Sequence, residues 1–385
     1  MKYVNEFRNG DAARVLAEKI AREVHPERQY RLMEFCGGHT HTIFRYGIPD
    51  LLPANVQMMH GPGCPVCVLP MKRIDAAIEL AMKHNVILCS YGDMLRVPGS
   101  HRMSLQKAKG QGADIRMLYS PADALEIARQ CPDREVVFFA IGFETTTPPT
   151  AVILQQADQM GLKNFSVFCN HVMTPPAIRG ILEPARQSGQ TILEGLVGPG
   201  HVSLIIGANP YQDLVKDYQL PIVISGFEPL DLLHSILMLI QQVNAGSRMV
   251  ENQYTRAVTD SGNQKAQAMI EECFEVRESF EWRGLGELPN SALRIREAFA
   301  HLDAERRYSL TESIGQDNKA CECPAVLRGA KKPTDCKLFG TSCTPENPIG
   351  SCMVSSEGAC AAYYTYRSRA IPAKSFSVNS LSKEV

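Results

Sequence analysis

Val56-Gln57-Met58-Met59-His60-Gly61-Pro62-Gly63-Cys64-Pro65-Val66-Cys67-Val68-Leu69-Pro70 starts apolar, breaks at a Gly/Pro turn and carries two thiols three positions apart. Residues 56–59 read as a short buried strand. The turn that follows exposes a Cys-x-x-Cys pair, which binds metal or forms a small reversible disulfide. Upstream, Leu32-Met33-Glu34-Phe35 runs into Cys36-Gly37-Gly38-His39-Thr40-His41 with the same layout of strand, thiol and glycine turn. The two loops are expected to meet at one reactive site. Pro65 and Pro70 argue against the long helix that follows such a pair in a thioredoxin-like fold.

The pattern repeats along the chain. Strand-length apolar runs occupy 31–35, 56–59, 86–89, 115–119, 136–141, 165–169, 196–197 and 222–225. Helical patterns fall at 10–24, with Asp11 as expected N-cap, and at 73–84, 122–129, 150–159, 176–187, 213–218 and 230–243. Such alternation predicts α/β units with parallel sheets covered by helices. Several runs end in polar or glycine-rich motifs: Gly142-Phe143-Glu144-Thr145-Thr146, Asn170-His171, Gly198-Pro199-Gly200-His201 and Gly226-Phe227-Glu228-Pro229. Ligands of open α/β sheets bind beyond the carboxyl ends of the strands, so these motifs point to one shared cleft. The expected architecture is two parallel-sheet α/β domains facing a cleft, plus a C-terminal cysteine-rich iron–sulfur region. The expected boundaries are 1–132 with the Cys36 and Cys64/Cys67 loops, 133–245 with the Glu144 and His201 loops, and 246–385 as linker and cluster domain. A polar tail is expected at 375–385.

Net charge is −1 without a basic run, which disfavours nucleic acid and anionic membranes as partners. The longest apolar stretches are too short to span a bilayer, and residues 1–8 contain no hydrophobic signal core, so a cytoplasmic location is expected. Thirteen cysteines there call for metal or redox chemistry, since structural disulfides are rare in that compartment. No Walker or dinucleotide-binding fingerprint occurs, which argues against a nucleotide enzyme.

Six of the thirteen cysteines lie between Cys321 and Cys360, in a Gly/Pro-rich segment with little apolar periodicity. Such a segment builds little core, and a metal centre would supply its cross-links. Cys323, Cys336, Cys343 and Cys360 are separated by twelve, six and sixteen residues. That looseness favours a cubane iron–sulfur cluster over zinc, whose usual signature is two tight knuckles. Cys321 and Cys352 are then spectators. Elsewhere, Gly37-Gly38 would bring the backbone close to a ligand of Cys36. His39, His41, His171 and His201 are cleft candidates or satisfied buried residues. Glu144 is a cleft acid or a helix-start cap. Cys89, Cys131, Cys169 and Cys273 read as structural.

Cys36-Gly-Gly-His39-Thr-His41, Gly61-Pro-Gly-Cys64-Pro-Val-Cys67-Val-Leu-Pro70, Gly142-Phe-Glu144-Thr-Thr146, Gly198-Pro-Gly-His201-Val-Ser203 and Met353-Val-Ser-Ser-Glu-Gly-Ala-Cys360 occur in this order. Together they resemble the hydrogenase maturation factor HypD family over nearly the whole chain. The resemblance implies assembly of the iron centre of nickel–iron hydrogenases with its cyanide and carbon monoxide ligands. It implies a small HypC chaperone sharing the iron, a HypE cyanide donor working with HypF, and the hydrogenase large subunit as indirect recipient. It also implies a [4Fe-4S] cluster. By motif position, Cys36 binds iron, and Cys64 and Cys67 are the redox pair, also assigned to iron. His39, His41, Glu144 and His201 would line the cleft. Cys323, Cys336, Cys343 and Cys360 would hold the cluster, with Cys321 or Cys323 as its first ligand because the chain reads Cys321-Glu-Cys323-Pro where the family has Cys-Gly. The competing readings are a stand-alone iron–sulfur thiol/disulfide oxidoreductase and a zinc-stabilised binding protein.

Overall fold

All eight apolar runs become strands, and a ninth follows them. They are β1 (Tyr30–Glu34), β2 (Val56–His60), β3 (Ile87–Tyr91), β4 (Ile115–Leu118), β5 (Val136–Gly142), β6 (Phe165–His171), β7 (Gly195–Pro199), β8 (Ile222–Ser225) and β9 (Val250–Asn252). The structure is a computed structural model that describes residues 4–188, 193–308, 310, 315 and 317–367. The tail expected at 375–385 lies outside the described residues. The strands form two parallel sheets, ordered β2-β1-β7-β8-β9 and β4-β3-β5-β6.

This order corrects the expected domain boundary. A break after residue 132 would part β3 and β4 from β5 and β6, yet β5 hydrogen-bonds directly to β3. The chain instead begins one sheet with β1 and β2, builds the whole second sheet, and returns to finish the first with β7, β8 and β9. Local sequence does not reveal such a return, because a strand buried on both faces is equally content beside any other.

Period-two alternation carries the cores. On β5, Val137, Phe139 and Ile141 enter one core, while Val136, Phe138 and Ala140 enter another on the opposite face. Each large side chain buried this way contributes about 1.5–3 kcal/mol. The first sheet divides likewise, with Met33 and Leu196 on one face and Leu32 and Val197 on the other. The first long helix, Gly10–Glu23, packs on Pro229–Ala245. Its cap is Asn9, whose side chain accepts from the N–H groups of Asp11 and Ala12, and not Asp11 as expected. Two short antiparallel ladders, Phe274–Val276 with Leu293–Ile295 and Ser279–Trp282 with Gly286–Pro289, follow the sheets. Trp282, Cys352 and Cys360 share one core with Cys64 and Cys67. The cysteine-rich region therefore folds onto the Cys-x-x-Cys loop. Among the described residues no helix is long and apolar enough to cross a membrane.

Candidate metal and redox site

The loops after β1 and β2 do meet. Cys36 starts the helix Gly37–Arg45. The N–H of Gly37 donates to Gly63 O at 3.1 Å, and a Cβ placed on Gly63 would lie 2.4 Å from the Cys36 nitrogen. Only glycine permits that approach, so the Gly61-Pro62-Gly63 turn closes over Cys36. Beneath it, Glu34 is fully buried and satisfied: Oε2 accepts from Cys36 N–H at 2.8 Å, and Oε1 lies 2.7 Å from His60 Nδ1 and accepts from Thr40 Oγ1.

The cleft has a volume of about 360 Å³ and lies at the carboxyl ends of both sheets. Cys36 and His201 line it from the first sheet, Gly142 and Thr146 from the second, and Glu357 from the cysteine-rich region. Cys36 is its only thiol among the described residues. Its Sγ lies 3.8 Å from His201 Nδ1. Burial, then the carboxylates of Glu357 and Glu34, push the Cys36 thiol up to about 12. The cleft walls, then His39, lower the pKa of His201. The resting pair is thus a neutral thiol beside a neutral imidazole, and a soft cation would replace the thiol proton.

The other three residues expected at the cleft face elsewhere. His39 is wholly buried; its Nε2 donates to Ser225 O at 3.1 Å, and burial lowers its pKa. It is one turn into the helix that Cys36 starts, on the face that packs toward the end of β8. His41 meets Tyr366, with 3.2 Å between its Nε2 and the phenol oxygen. Glu144 turns from the cleft to the start of the helix Thr174–Ser188, where it accepts from Thr174 N–H at 2.7 Å and from the Thr174 hydroxyl at 2.9 Å.

Burial raises the Glu144 carboxyl from 4.5 to about 7, against the pull of Thr174. Between those values the folded chain keeps a proton that the unfolded chain has lost, so stability falls as pH rises through the window. Glu144→Gln is expected to remove up to about 3 kcal/mol of that pH dependence, read by urea denaturation at about pH 5 and about pH 8. An unchanged slope in the variant would mean that Glu144 is ionised throughout.

Cys64 and Cys67 are joined as a disulfide, with Cα atoms 5.2 Å apart. They sit on a one-turn helix, Pro65–Val68, which stops at Pro70 before the helix Met71–Lys83. The expectation of no immediate long helix is met. In this bonded state neither sulfur is a thiolate donor. Pro65 and Val66 line the cleft, while Cys67 lines a separate small gap with Cys321, Cys323, Gly350 and Ser351. Ser351 Oγ donates to Cys67 O at 2.7 Å. The disulfide therefore stands between the cleft and the cysteine-rich region.

In that region the thiol of Cys323 contacts those of Cys321, Cys352 and Cys360, and Cys352 contacts Cys360. Two of the expected cluster ligands, Cys323 and Cys360, are thus brought together, along with both expected spectators. Cys343 is buried, with Ile349 N–H donating to its Sγ at 3.3 Å, and Cys336 is partly exposed. Among the described residues no group of three or more His, Cys, Asp or Glu stands ready spaced for a metal ion. In kind the donors fit a thiolate-bound centre. They are soft, and two of them meet at Gly350, where a Cβ would lie 2.5 Å from the sulfurs of both Cys321 and Cys323.

Sequence reasoning assigned no role to Glu34 or Glu357, placed Phe227 only within a motif at the end of a strand, and read Cys352 as a spectator. A carboxylate two residues before Cys36, on an otherwise apolar strand, was the available signal for Glu34. Glu357 lay within the Met353–Cys360 motif and Cys352 just before it, but their spacing carried no direction.

Fold and site define a two-sheet α/β protein whose cleft carries one free thiol, backed by a disulfide and a cysteine-rich lobe. The family model for HypD, described as the hydrogenase formation hypA family, matches residues 11–367. The chain is 66% identical over 367 residues to the hydrogenase maturation factor HypD of Azotobacter vinelandii, covering 95% of this chain and 97% of that protein. It is 61% identical over 368 residues to HypD of Cupriavidus necator, covering 95% and 97%. To HypD of Escherichia coli it is 46% identical over 372 residues, covering 95% and 98%. The chain belongs to the HypD family.

Proposed function

We propose that this chain is a cytoplasmic hydrogenase maturation scaffold that binds iron at Cys36 and carries it while cyanide and carbon monoxide are attached. The product is the Fe(CN)2CO centre of nickel–iron hydrogenases. The observation that carries the reading is the single free thiol of the cleft, 3.8 Å from an imidazole and walled by loops from both sheets. Iron is the cargo here. A small HypC-type chaperone would bring a second thiol, a HypE-type donor working with HypF would bring cyanide, and the hydrogenase large subunit would receive the product. Names and extents of the relatives support this assignment.

Reducing the Cys64–Cys67 disulfide takes two electrons and two protons and yields two thiols on the loop that abuts Cys36. A [4Fe-4S] cluster on the cysteine-rich lobe would supply one-electron chemistry beside that disulfide. Cys360 belongs to its ligands in each set, completed by Cys336, Cys343 and either Cys323 or Cys321, or by Cys321, Cys323 and Cys352. Cys323→Ser is expected to lose the cluster's visible absorbance. Comparison of Cys336→Ser with Cys352→Ser then decides the set, and a cluster that survives Cys323→Ser makes Cys321 its first ligand. A stand-alone disulfide oxidoreductase is less well supported, because Cys64 and Cys67 are 3% and 0% exposed and shielded from an incoming dithiol.

The test is an infrared spectrum of the chain co-produced with its small chaperone and purified without oxygen. Bands of metal-bound cyanide and carbon monoxide are expected. A protein with no such bands, yet turning over a dithiol substrate, would favour the oxidoreductase.

A further inference from the structure

The motif Gly226-Phe227-Glu228 ends β8 and has no part in the chemistry above. Its phenyl ring lies between the two glycine–histidine loops of the first sheet. The His201 ring stacks on it with centroids 3.7 Å apart and planes 22° from parallel. The His39 ring lies 4.9 Å away at 29°. A Cβ on Gly38 would come within 2.9 Å of Phe227 Cδ1, and one on Gly200 within 3.1 Å of its Cε2 and Cζ. A glycine from each loop thus makes room for one ring. The backbone of Phe227 is pinned as well, its carbonyl accepting from Thr42 Oγ1 at 2.7 Å.

His201 needs such a support. It stands at the open cleft, and among the described residues its side chain's one polar contact is Cys36 Sγ at 3.8 Å. A histidine with two free side-chain torsions and no firm hydrogen bond would swing away from the thiol. Aromatic faces in offset contact supply the missing restraint.

We propose that Phe227 is a positioning residue that holds the His201 imidazole against the Cys36 thiol. Its consequence for iron rests on the metal-binding reading above; the ring contact does not. Leucine at 227 would keep the bulk and lose the flat face, whereas tyrosine would keep the face. The experiment uses the full chain with isotope-labelled histidine, with His201→Asn to assign the His201 ring signal. Stacking shields that ring, so Phe227→Leu is expected to shift the His201 signal downfield while Phe227→Tyr leaves it near the wild-type position. The His171 signal, from the buried ring bonded to Thr150 at 2.8 Å in the other sheet, reports an intact fold in each variant. Anaerobic titration with ferrous iron alone is expected to be about tenfold weaker in Phe227→Leu, the size of one good aromatic contact, and near wild type in Phe227→Tyr. An unmoved His201 signal in Phe227→Leu, or an equal loss in both variants, overturns the proposal. If wild type takes up no ferrous iron at all, the metal reading fails, and the His201 signal still decides the role of Phe227.

Discussion

Cys36→Ala is expected to lose the iron of the cleft, and with it every cyanide and carbon monoxide band in the infrared, while the protein stays folded. Cys36 is the only thiol that lines the cleft among the described residues, so no neighbour there can replace it. Deleting one buried sulfur from a loop costs about 1 kcal/mol, too little to unfold a protein of this size. The loss would therefore report on the ligand and not on the fold. pH gives the same residue a second signature. Its thiol is pushed up to about 12, first by burial and then by Glu357 and Glu34, so an iron ion bound there would have to displace a proton. Iron affinity of the wild-type chain is accordingly expected to rise with pH. Bands of normal strength in Cys36→Ala would move the iron site elsewhere.

Cys64→Ala is expected to abolish hydrogenase maturation and leave the cysteine-rich lobe unchanged. The disulfide closes a very short loop, so breaking it costs stability of only about 2 kcal/mol on the chain-entropy view. Position explains why the functional loss should be complete. The pair lies on the one turn of helix whose Pro65 and Val66 face the cleft and whose Cys67 faces Cys321 and Cys323. Cys67→Ala should match it, since one thiol cannot cycle alone. The measurement pairs hydrogenase activity in cells relying on the variant with the visible spectrum of the purified variant. Normal maturation by Cys64→Ala would sink the redox role of the pair, and a lost visible spectrum would assign it a structural one.

Some of this was legible residue by residue. Short apolar runs such as Val136–Ile141, each cut by glycine or a polar motif, are too short for helices and too apolar for surface loops, so they are buried strands. Ligand-bearing loops at their carboxyl ends follow from the same geometry. The close approach of the Cys36 and Cys64 loops could be expected because glycine was present where a side chain would not fit, as Gly63 bears out. Motif order likewise pointed to the HypD family.

The tertiary structure alone decided which strands share a sheet, because pairing is a long-range choice among equally apolar partners, and so the expected break after residue 132 fell inside a sheet. It alone decided where side chains on one motif point. Cys36 and His39 are three residues apart, yet one faces the cleft and the other is sealed against Ser225, since Cys36 is still extended where it caps the helix and His39 lies within its first turn. Glu144 was drawn to Thr174 because a buried carboxylate takes the nearest backbone donor. Cys352 met Cys323 and Cys360 because thiols distant in sequence are gathered by folding and not by spacing.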